Sequence, residues 1–371
     1  MKVLMISKAL VVGAYHGKLR ELAARGVDLT LAIPDRWGSQ KPEISESCDY
    51  RIVTLPCVLS GHNHFHFYRD MDRLFTSNRY DLVHCDEEPY SAVTHQILRC
   101  TKRNRIPSLF FTWQNIEKKF PPPFNWIERN SFETASGALA GNREAEEVLR
   151  RKGFRKPIWV FPQFGVDPEV FVRSGGDRIR QSFAIGSGFL VGYMGRLIPE
   201  KGLADVLVAL AQLPPEIKLM IVGSGPEEVR LRAASATLGV ADRVIWKPFV
   251  PSSEVPVFMS AFDALVLPSH TAKGWKEQFG RVLVEAMSCG TPPIGSDSGE
   301  IPIVIGDAGL VVPEGQAMKF RDAILTLFHD PGLRERLANK GRERVLQSFT
   351  HANLASQTVK AYEAAIESGC G

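Results

Sequence analysis

The stretch Phe189-Leu-Val-Gly-Tyr-Met-Gly195-Arg196-Leu-Ile-Pro199-Glu-Lys201-Gly202 decides the fold class. Its first six residues form an apolar run of buried-strand length. Gly195 lets the backbone turn tightly and approach a ligand, and a helical pattern follows at 203–212. A strand that turns at glycine and continues into a helix is the repeating unit of a parallel α/β sheet. The rhythm recurs through Lys218–Val222, Val244–Trp246, Ala264–Leu267 and Pro293–Gly295, with helical patterns at 226–238, 253–260, 280–288 and 317–328. Leu333 to Ile366 reads as helix, broken near Phe349-Thr350.

Upstream, Val3–Ile6, Leu29–Ile33, Ile52–Leu55, Leu82–His84, Ser108–Phe111, Gly137–Ala140 and Ile158–Phe161 read as strands. Helical patterns lie at 15–25, 71–75, 91–102 and 142–151. Residues 162–187 break the rhythm with Pro162, Pro168, Gly175, Gly176 and Gly186. The expected organisation is therefore an N-terminal domain over 1–165, a linker at 166–187, a second domain over 188–350, and a C-terminal helix over 351–371 that packs back on the first domain. Two doubly wound α/β domains facing a cleft would bind ligands beyond the carboxyl ends of their strands.

Composition is that of an ordinary globular protein: 44% apolar and 23% charged over 371 residues. Six cysteines (Cys48, Cys57, Cys85, Cys100, Cys289, Cys370) form no CxxC pair, which argues for a reducing compartment and against a zinc knuckle or disulfide framework. The first apolar run is too short for a signal peptide, and no segment has the apolar length of a membrane span. Residues 1–165 hold 24 basic and 18 acidic residues, the remainder 21 and 23. The basic surplus of the first part suits an acidic acceptor or an anionic membrane surface, or is ordinary solvated charge.

The chemistry centres on Glu277-Gln-Phe-Gly-Arg-Val-Leu-Val-Glu285, two carboxylates eight residues apart around a glycine at a helix start. A helix start offers N–H groups and a positive dipole end to a phosphate. Ionised carboxylates accept hydrogen bonds from sugar hydroxyls. Arg196 and Lys201 can neutralise a diphosphate, one by forking and one as a point charge. Gly223-Ser-Gly225 is a second glycine turn, but it lacks the third glycine and the acid of a dinucleotide fingerprint. Gly13 and Gly17 bracket Tyr15 and His16 in the first strand-to-helix loop. That loop is either a ligand-facing element or a permissive turn.

These pieces, in this order, resemble the group 1 glycosyltransferases, family 4 of the retaining enzymes, with the GT-B fold of two Rossmann-like domains. The resemblance is carried by Gly195-Arg196, Pro199-Glu200-Lys201-Gly202, Val222-Gly-Ser-Gly-Pro226, Asp263 to Ser269, Glu277 to Glu285, Gly290 to Asp297 and Gly306 to Val311. Asp81-Leu-Val-His84 with Glu88-Pro89, and Phe161 to Asp167, carry it more loosely upstream. It implies a transferase that moves a sugar from a nucleotide-diphosphate sugar, UDP more often than GDP, to a glycan, lipid-linked or small-molecule acceptor. The first domain would bind the acceptor and the second the donor, in the cytoplasm or at the inner face of the membrane. No metal, cofactor or nucleic acid is implied. Arg196, Lys201 and Glu277 would be catalytic. Gly195 and the amides of Phe279, Gly280, Arg281 and Val282 would cradle phosphate and sugar, Glu285 would hold the ribose, and Phe249 would border the base. The first strand-to-helix loop is expected to face the second domain across the cleft, with Gly13 and His16 as substrate-binding candidates. Many members carry a histidine after the strand ending at Phe111. Here Thr112-Trp113-Gln114-Asn115 stands instead, and Gln114 and Asn115 can bond a sugar hydroxyl or cap the next segment. A nucleotide-sugar epimerase of the same architecture and a non-catalytic nucleotide-sugar-binding protein are the alternatives.

Four other features carry less. Asp70-Met-Asp72 reads as a solvated helical face, His62-x-His64-x-His66 as strand-spaced imidazoles for packing or an acceptor loop, and Asp86-Glu87-Glu88 as a solvated acidic turn. Lys118-Lys-Phe-Pro-Pro-Pro-Phe-Asn-Trp126 reads as a proline-stiffened loop with its rings tucked in, or as a grip for a lipid surface.

Overall fold

The structure, a computed structural model, describes residues 1–44, 49–76 and 78–369. Cys48, Cys370 and the last two positions of the expected C-terminal helix lie outside the described residues. The chain divides into two compact units, Met1–Gly165 together with the segment from His351, and Val166–Thr350.

The first unit holds strands β1 (Lys2–Ile6), β2 (Asp28–Pro34) and β3 (Arg51–Leu55), a short hairpin of β4 (Cys57–Val58) and β5 (Phe67–Tyr68), and β6 (Leu82–Cys85), β7 (Ser108–Thr112), β8 (Gly137–Ala140) and β9 (Ile158–Val160). Its helices are α1 (Gly17–Ala24), α2 (Asp72–Thr76), α3 (Ala92–Asn104), α4 (Phe124–Thr134) and α5 (Arg143–Arg151). Seven strands form one parallel sheet in the order β3-β2-β1-β6-β7-β8-β9. Side chains alternate across it. Val3, Met5, Leu29, Leu31 and Leu82 join a core with Leu19 and Leu22 of α1. Leu4, Ile6, Val83 and Phe110 face the other way, onto Val93 and Ile97 of α3 and Leu149 of α5. Burial on both faces explains why these strands read as continuous apolar runs. Asn142 caps α5, its side-chain oxygen accepting from Ala145 N at 2.7 Å.

The second unit holds α6 (Gly176–Ser182), β10 (Phe189–Met194), α7 (Leu203–Leu210), β11 (Ile217–Val222), α8 (Glu228–Thr237), β12 (Val244–Lys247), α9 (Val255–Ala261), β13 (Ala264–Leu267), α10 (Arg281–Ser288), β14 (Pro293–Ser296), α11 (Ile301–Ile305), β15 (Leu310–Val312), α12 (Ala317–His329) and α13 (Pro331–Ser348). Its six parallel strands run β12-β11-β10-β13-β14-β15. One face packs Val191, Tyr193, Leu219 and Val266 against Leu203 and Leu207 of α7 and Phe320 and Ile324 of α12. In both sheets the strand order reverses once, between β1 and β6 and between β10 and β13. In folds of this kind ligands bind beyond the carboxyl ends of the strands at such a reversal.

The helical tail breaks at Phe349-Thr350, and α14 (His351–Gly369) returns to the first unit. There Leu354, Ala355 and Tyr362 cover the face of the sheet that α1 shares.

Several local readings are corrected. Residues 166–187 are not a bare linker: α6 lies in them, Ile179 is buried, and Arg342 of α13 donates to the carbonyls of Pro168 and Phe171, each at 2.7 Å. The helix α4 was hidden because Pro121-Pro-Pro123 precedes it and its apolar stripe is thin. Asp70 sits outside α2 in a turn with φ 58°. His62, His64 and His66 lie in turns before β5, not on a strand, and the buried His66 packs edge-on against Trp37 and Tyr68.

Candidate functional site

In the second unit the loops after β10 and β13 meet at the strand reversal. The Tyr193 hydroxyl donates to the Arg196 carbonyl at 2.8 Å, and Leu197 N donates to the Ser224 carbonyl at 3.0 Å. The two glycine turns thus pack backbone to backbone, and a Cβ on Gly223 would overlap the carbonyl oxygen of Gly195. That explains the glycines of the second turn without a dinucleotide. Arg196 is exposed at the tip of its loop.

Lys201 ends a short turn closed by Gly202. Its Nζ lies 2.5 Å from Glu277 Oε2, and Ser269 Oγ donates to the same oxygen at 2.9 Å. Glu277 is 8% exposed, so a nearly buried carboxylate is paired with a partly open ammonium. An ammonium has three donors, so one bond to Glu277 does not exhaust Lys201. The neighbouring His270 ties the two loops together. Its backbone N donates to the Glu200 carbonyl at 2.7 Å, and its Nε2 lies 2.6 Å from Asp205 Oδ2 at the start of α7. Behind Glu277, Gly299 (φ 57°) comes so close that a Cβ there would overlap the Glu277 carbonyl.

Four residues after Glu277, α10 begins, with Gly280 at φ 73° as its N-terminal flank. Phe279, 8% exposed, sets its ring edge-on to Phe349 with centroids 5.9 Å apart. Val282 and Arg281 occupy the first turn. Arg281 Nε lies 2.9 Å from Glu285 Oε1, one helical turn on. Burial pushes the Glu285 carboxyl up from its ordinary value, with Arg281 pulling the other way. Phe249 stands 71% exposed just beyond β12. The structure therefore brings Lys201, Glu277 and Ser269 into contact and pairs Arg281 with Glu285. His270, Asp205, Tyr193 and Gly299 were not singled out by sequence reasoning, and Ser269 was named only as the end of a motif, with no role. Ser269 carried a signal, a hydroxyl directly after the strand-ending Pro268.

In the first unit Gly13 N donates to Glu43 Oε2 at 2.8 Å. His16 is 2% exposed, with Nε2 2.7 Å from the Leu10 carbonyl and Nδ1 2.8 Å from the Tyr50 hydroxyl. Burial lowers its pKa, so the ring ties the loop down as a neutral group. Gln114 Oε1 accepts from Lys152 Nζ at 3.4 Å, while its Nε2 is buried without a partner among the described residues. Asn115 Nδ2 donates to Glu144 Oε2 at 3.3 Å. In the Lys118–Trp126 loop, Phe120 stacks on Tyr90 at 4.1 Å, whereas Trp126 stays 56% exposed.

The solvated reading of Asp86-Glu87-Glu88 is overturned. All three follow β6 at the strand reversal, and each fastens a different loop. Asp86 Oδ2 accepts from Ser7 Oγ and Gln163 Nε2, both at 2.7 Å. Glu87 accepts from Lys8 N at 2.9 Å and pairs with the Lys8 ammonium. Glu88 accepts from Thr112 Oγ1 at 2.6 Å and Trp113 N at 2.8 Å. Burial pushes the Glu87 and Glu88 carboxyls up, while Glu87 keeps Lys8 protonated above the ordinary lysine range. Beneath them His84 Nδ1 lies 2.7 Å from the Tyr362 hydroxyl, and burial pushes the His84 imidazole down to about 4.

Comparison with known proteins identifies the family and the fold. Residues 177–344 match the family described as glycosyl transferases group 1, and residues 14–163 match a glycosyl transferase 4-like domain. The two matches span both units, and the chain belongs to the group 1 glycosyltransferases. It is 27% identical over 266 residues to the alpha-maltose-1-phosphate synthase of Mycolicibacterium smegmatis, covering 64% of this chain and 65% of that protein. It is 31% identical over 219 residues to the D-inositol 3-phosphate glycosyltransferase of Segniliparus rotundus, covering 55% and 46%. The matches thus span less than two thirds of either relative. Among solved structures, Anabaena HepE in complex with UDP superposes with a TM-score of 0.77 at 20% identity, over 98% of this chain and 100% of that one. The fold is GT-B, two parallel-sheet α/β domains.

Proposed function

We propose that the chain transfers a sugar from a nucleotide-diphosphate sugar, UDP ahead of GDP, to a glycan, lipid-linked or small-molecule acceptor, with retention at the anomeric carbon. The observation that carries this reading is the contact of Lys201 with Glu277 beside Ser269, at the strand reversal and just ahead of the α10 N-terminus. Lys201, Arg196 and the amides of Phe279, Gly280, Arg281 and Val282, with Gly195 giving close approach, take the diphosphate. Glu277 takes donor-sugar hydroxyls, Glu285 the ribose, and Phe249 the base. Retention and the preference for UDP rest on the family resemblance.

Catalysis in this scheme is electrostatic. Negative charge grows on the diphosphate as the glycosidic bond breaks, and fixed cations and a helix end stabilise that charge more than the ground state. The departing diphosphate then accepts the acceptor's proton on the face it leaves. The residues supply this positive charge themselves, so the scheme routes no step through a metal. The first unit is assigned to the acceptor, through the loop holding Gly13 and His16 and through Gln114 and Asn115. Exposed Lys118, Lys119 and Trp126 suit an acceptor at a lipid surface on the cytoplasmic side.

Thermal-shift measurements with UDP, GDP, ADP and their sugars test the donor. A nucleotide at about 100 times its Kd stabilises by about 2.7 kcal/mol, so UDP compounds should raise Tm and ADP should not. No shift with any nucleotide sugar would overturn the reading. Interconversion of the donor sugar without acceptor would replace transfer by epimerisation.

A further inference from the structure

The loop between β13 and α10 carries an indole to which the mechanism above gives no task. Trp275 is half-buried, two residues before Glu277. Lys201 Nζ lies 5.3 Å from its ring centroid, and the same Nζ lies 2.5 Å from Glu277 Oε2. Indole, ammonium and carboxylate therefore share one patch at the strand reversal.

The loop is built to hold that ring in place. Ala272 N donates to the Trp275 carbonyl at 2.9 Å and Trp275 N donates back at 3.1 Å, closing a tight turn with Gly274 at φ 82°. Thr271 N donates to the Glu314 carboxylate, and Thr271 Oγ1 lies 3.1 Å from Ser298 Oγ. These bonds use backbone and neighbouring side chains, and they fix where the indole stands without engaging its ring. The other aromatic residue of this loop, Phe279, is turned away onto Phe349, whereas Trp275 is fixed beside the nearly buried Glu277 carboxylate and its lysine partner.

The three groups match three parts of one ligand. An ammonium suits a diphosphate, and a carboxylate suits hydroxyls. The apolar C–H face of a pyranose suits a large aromatic plane, which adds contact area at little conformational cost. We infer that Trp275 is a specificity-determining residue for the donor, its indole taking the C–H face of the sugar whose hydroxyls Glu277 holds. This inference rests on the nucleotide-sugar reading above. The rival role is structural: the indole screens the Lys201–Glu277 pair from water.

The two roles separate when the ligand is cut at the sugar. Calorimetric titrations of wild type, Trp275→Phe and Trp275→Ala would use UDP and UDP-glucose, with GDP and GDP-mannose as the second pair. Circular dichroism would confirm that each variant is folded. Trp275→Ala should lose about tenfold in affinity for the nucleotide sugar and stay within about twofold of wild type for the bare nucleotide. Trp275→Phe, which keeps a ring, should fall between. Equal weakening of both ligands, or of neither, overturns the inference while leaving the donor site intact. Wild type binding none of the four would overturn the donor site and the inference with it.

Discussion

Replacing Glu87 by alanine strands the Lys8 ammonium and leaves the Lys8 N–H without its acceptor. Breaking a buried ion pair on one side costs about 3–5 kcal/mol. The Lys8 side chain keeps 19% of its exposure and so recovers some hydration, whereas the Glu87 side chain keeps 0%. The expected loss for Glu87→Ala is therefore at the low end, about 3 kcal/mol. Glu87→Gln preserves an oxygen for the Lys8 N–H and should cost about 1–2 kcal/mol. Lys8→Met strands the fully buried carboxylate and should cost the most at neutral pH. Its pH dependence has a definite sign. Burial raises the folded-state pKa of Glu87 above its ordinary value of 4.5, and removing Lys8 raises it further. A raised carboxyl favours the folded state when protonated and loses that contribution as pH rises through the folded pKa. Relative to wild type, Lys8→Met should be mildest near pH 4 and worst at pH 7–8. The double variant Lys8→Met/Glu87→Gln should be milder than Lys8→Met alone. Because a protein of two units need not unfold in one step, the assay is native-state amide exchange read at β1, β6 and β7. Opening free energies for Glu87→Ala within about 0.5 kcal/mol of wild type would refute the buried-staple account.

Three further outcomes are expected. Burial holds the His84 and His66 imidazoles down to about 4; the unfolded chain takes up these protons first, so the first unit should lose stability as pH falls from about 6.5 to 4. Each histidine contributes at most roughly 3 kcal/mol, and His84→Gln should flatten part of that slope in amide exchange. Tyr362→Phe removes the partner of His84 Nδ1 and should weaken protection in α14 and β6 by about 1–2 kcal/mol. Lys201→Ala and Glu277→Ala should each lower sugar transfer by roughly 10²–10³ while circular dichroism stays native, and wild-type turnover in both would count against the mechanism.

The alternation of strands and helices was legible because buried parallel strands leave short apolar runs that glycine and proline interrupt. Gly137–Ala140 is a strand over the expected residues, and the tail breaks at Phe349-Thr350. Short elements in atypical company were not legible: α4 follows three prolines, and α6 sits among glycines in the supposed linker. At the candidate site, Lys201 and Glu277 were named from motif order, and the structure puts them in contact across 76 residues. Tyr193, Asp205 and His270 act by holding loops that meet only in three dimensions, so no local pattern marked them. Asp86-Glu87-Glu88 failed for the opposite reason. Three adjacent acids look solvated by local rule, and only the strand order shows that Ser7, Lys8, Thr112, Trp113 and Gln163 converge on them. The directly preceding Leu82-Val-His-Cys85 strand, apolar at three of its four positions, was the available hint.

The account stands or falls on where a nucleotide's phosphates sit. A crystal structure of the protein with UDP or a UDP-sugar should place the diphosphate within hydrogen-bonding reach of Lys201 and Arg196, against the first turn of α10, with the sugar's hydroxyls on Glu277. Phosphates bound at any other surface, with Lys201 still closed on Glu277 alone, would contradict it.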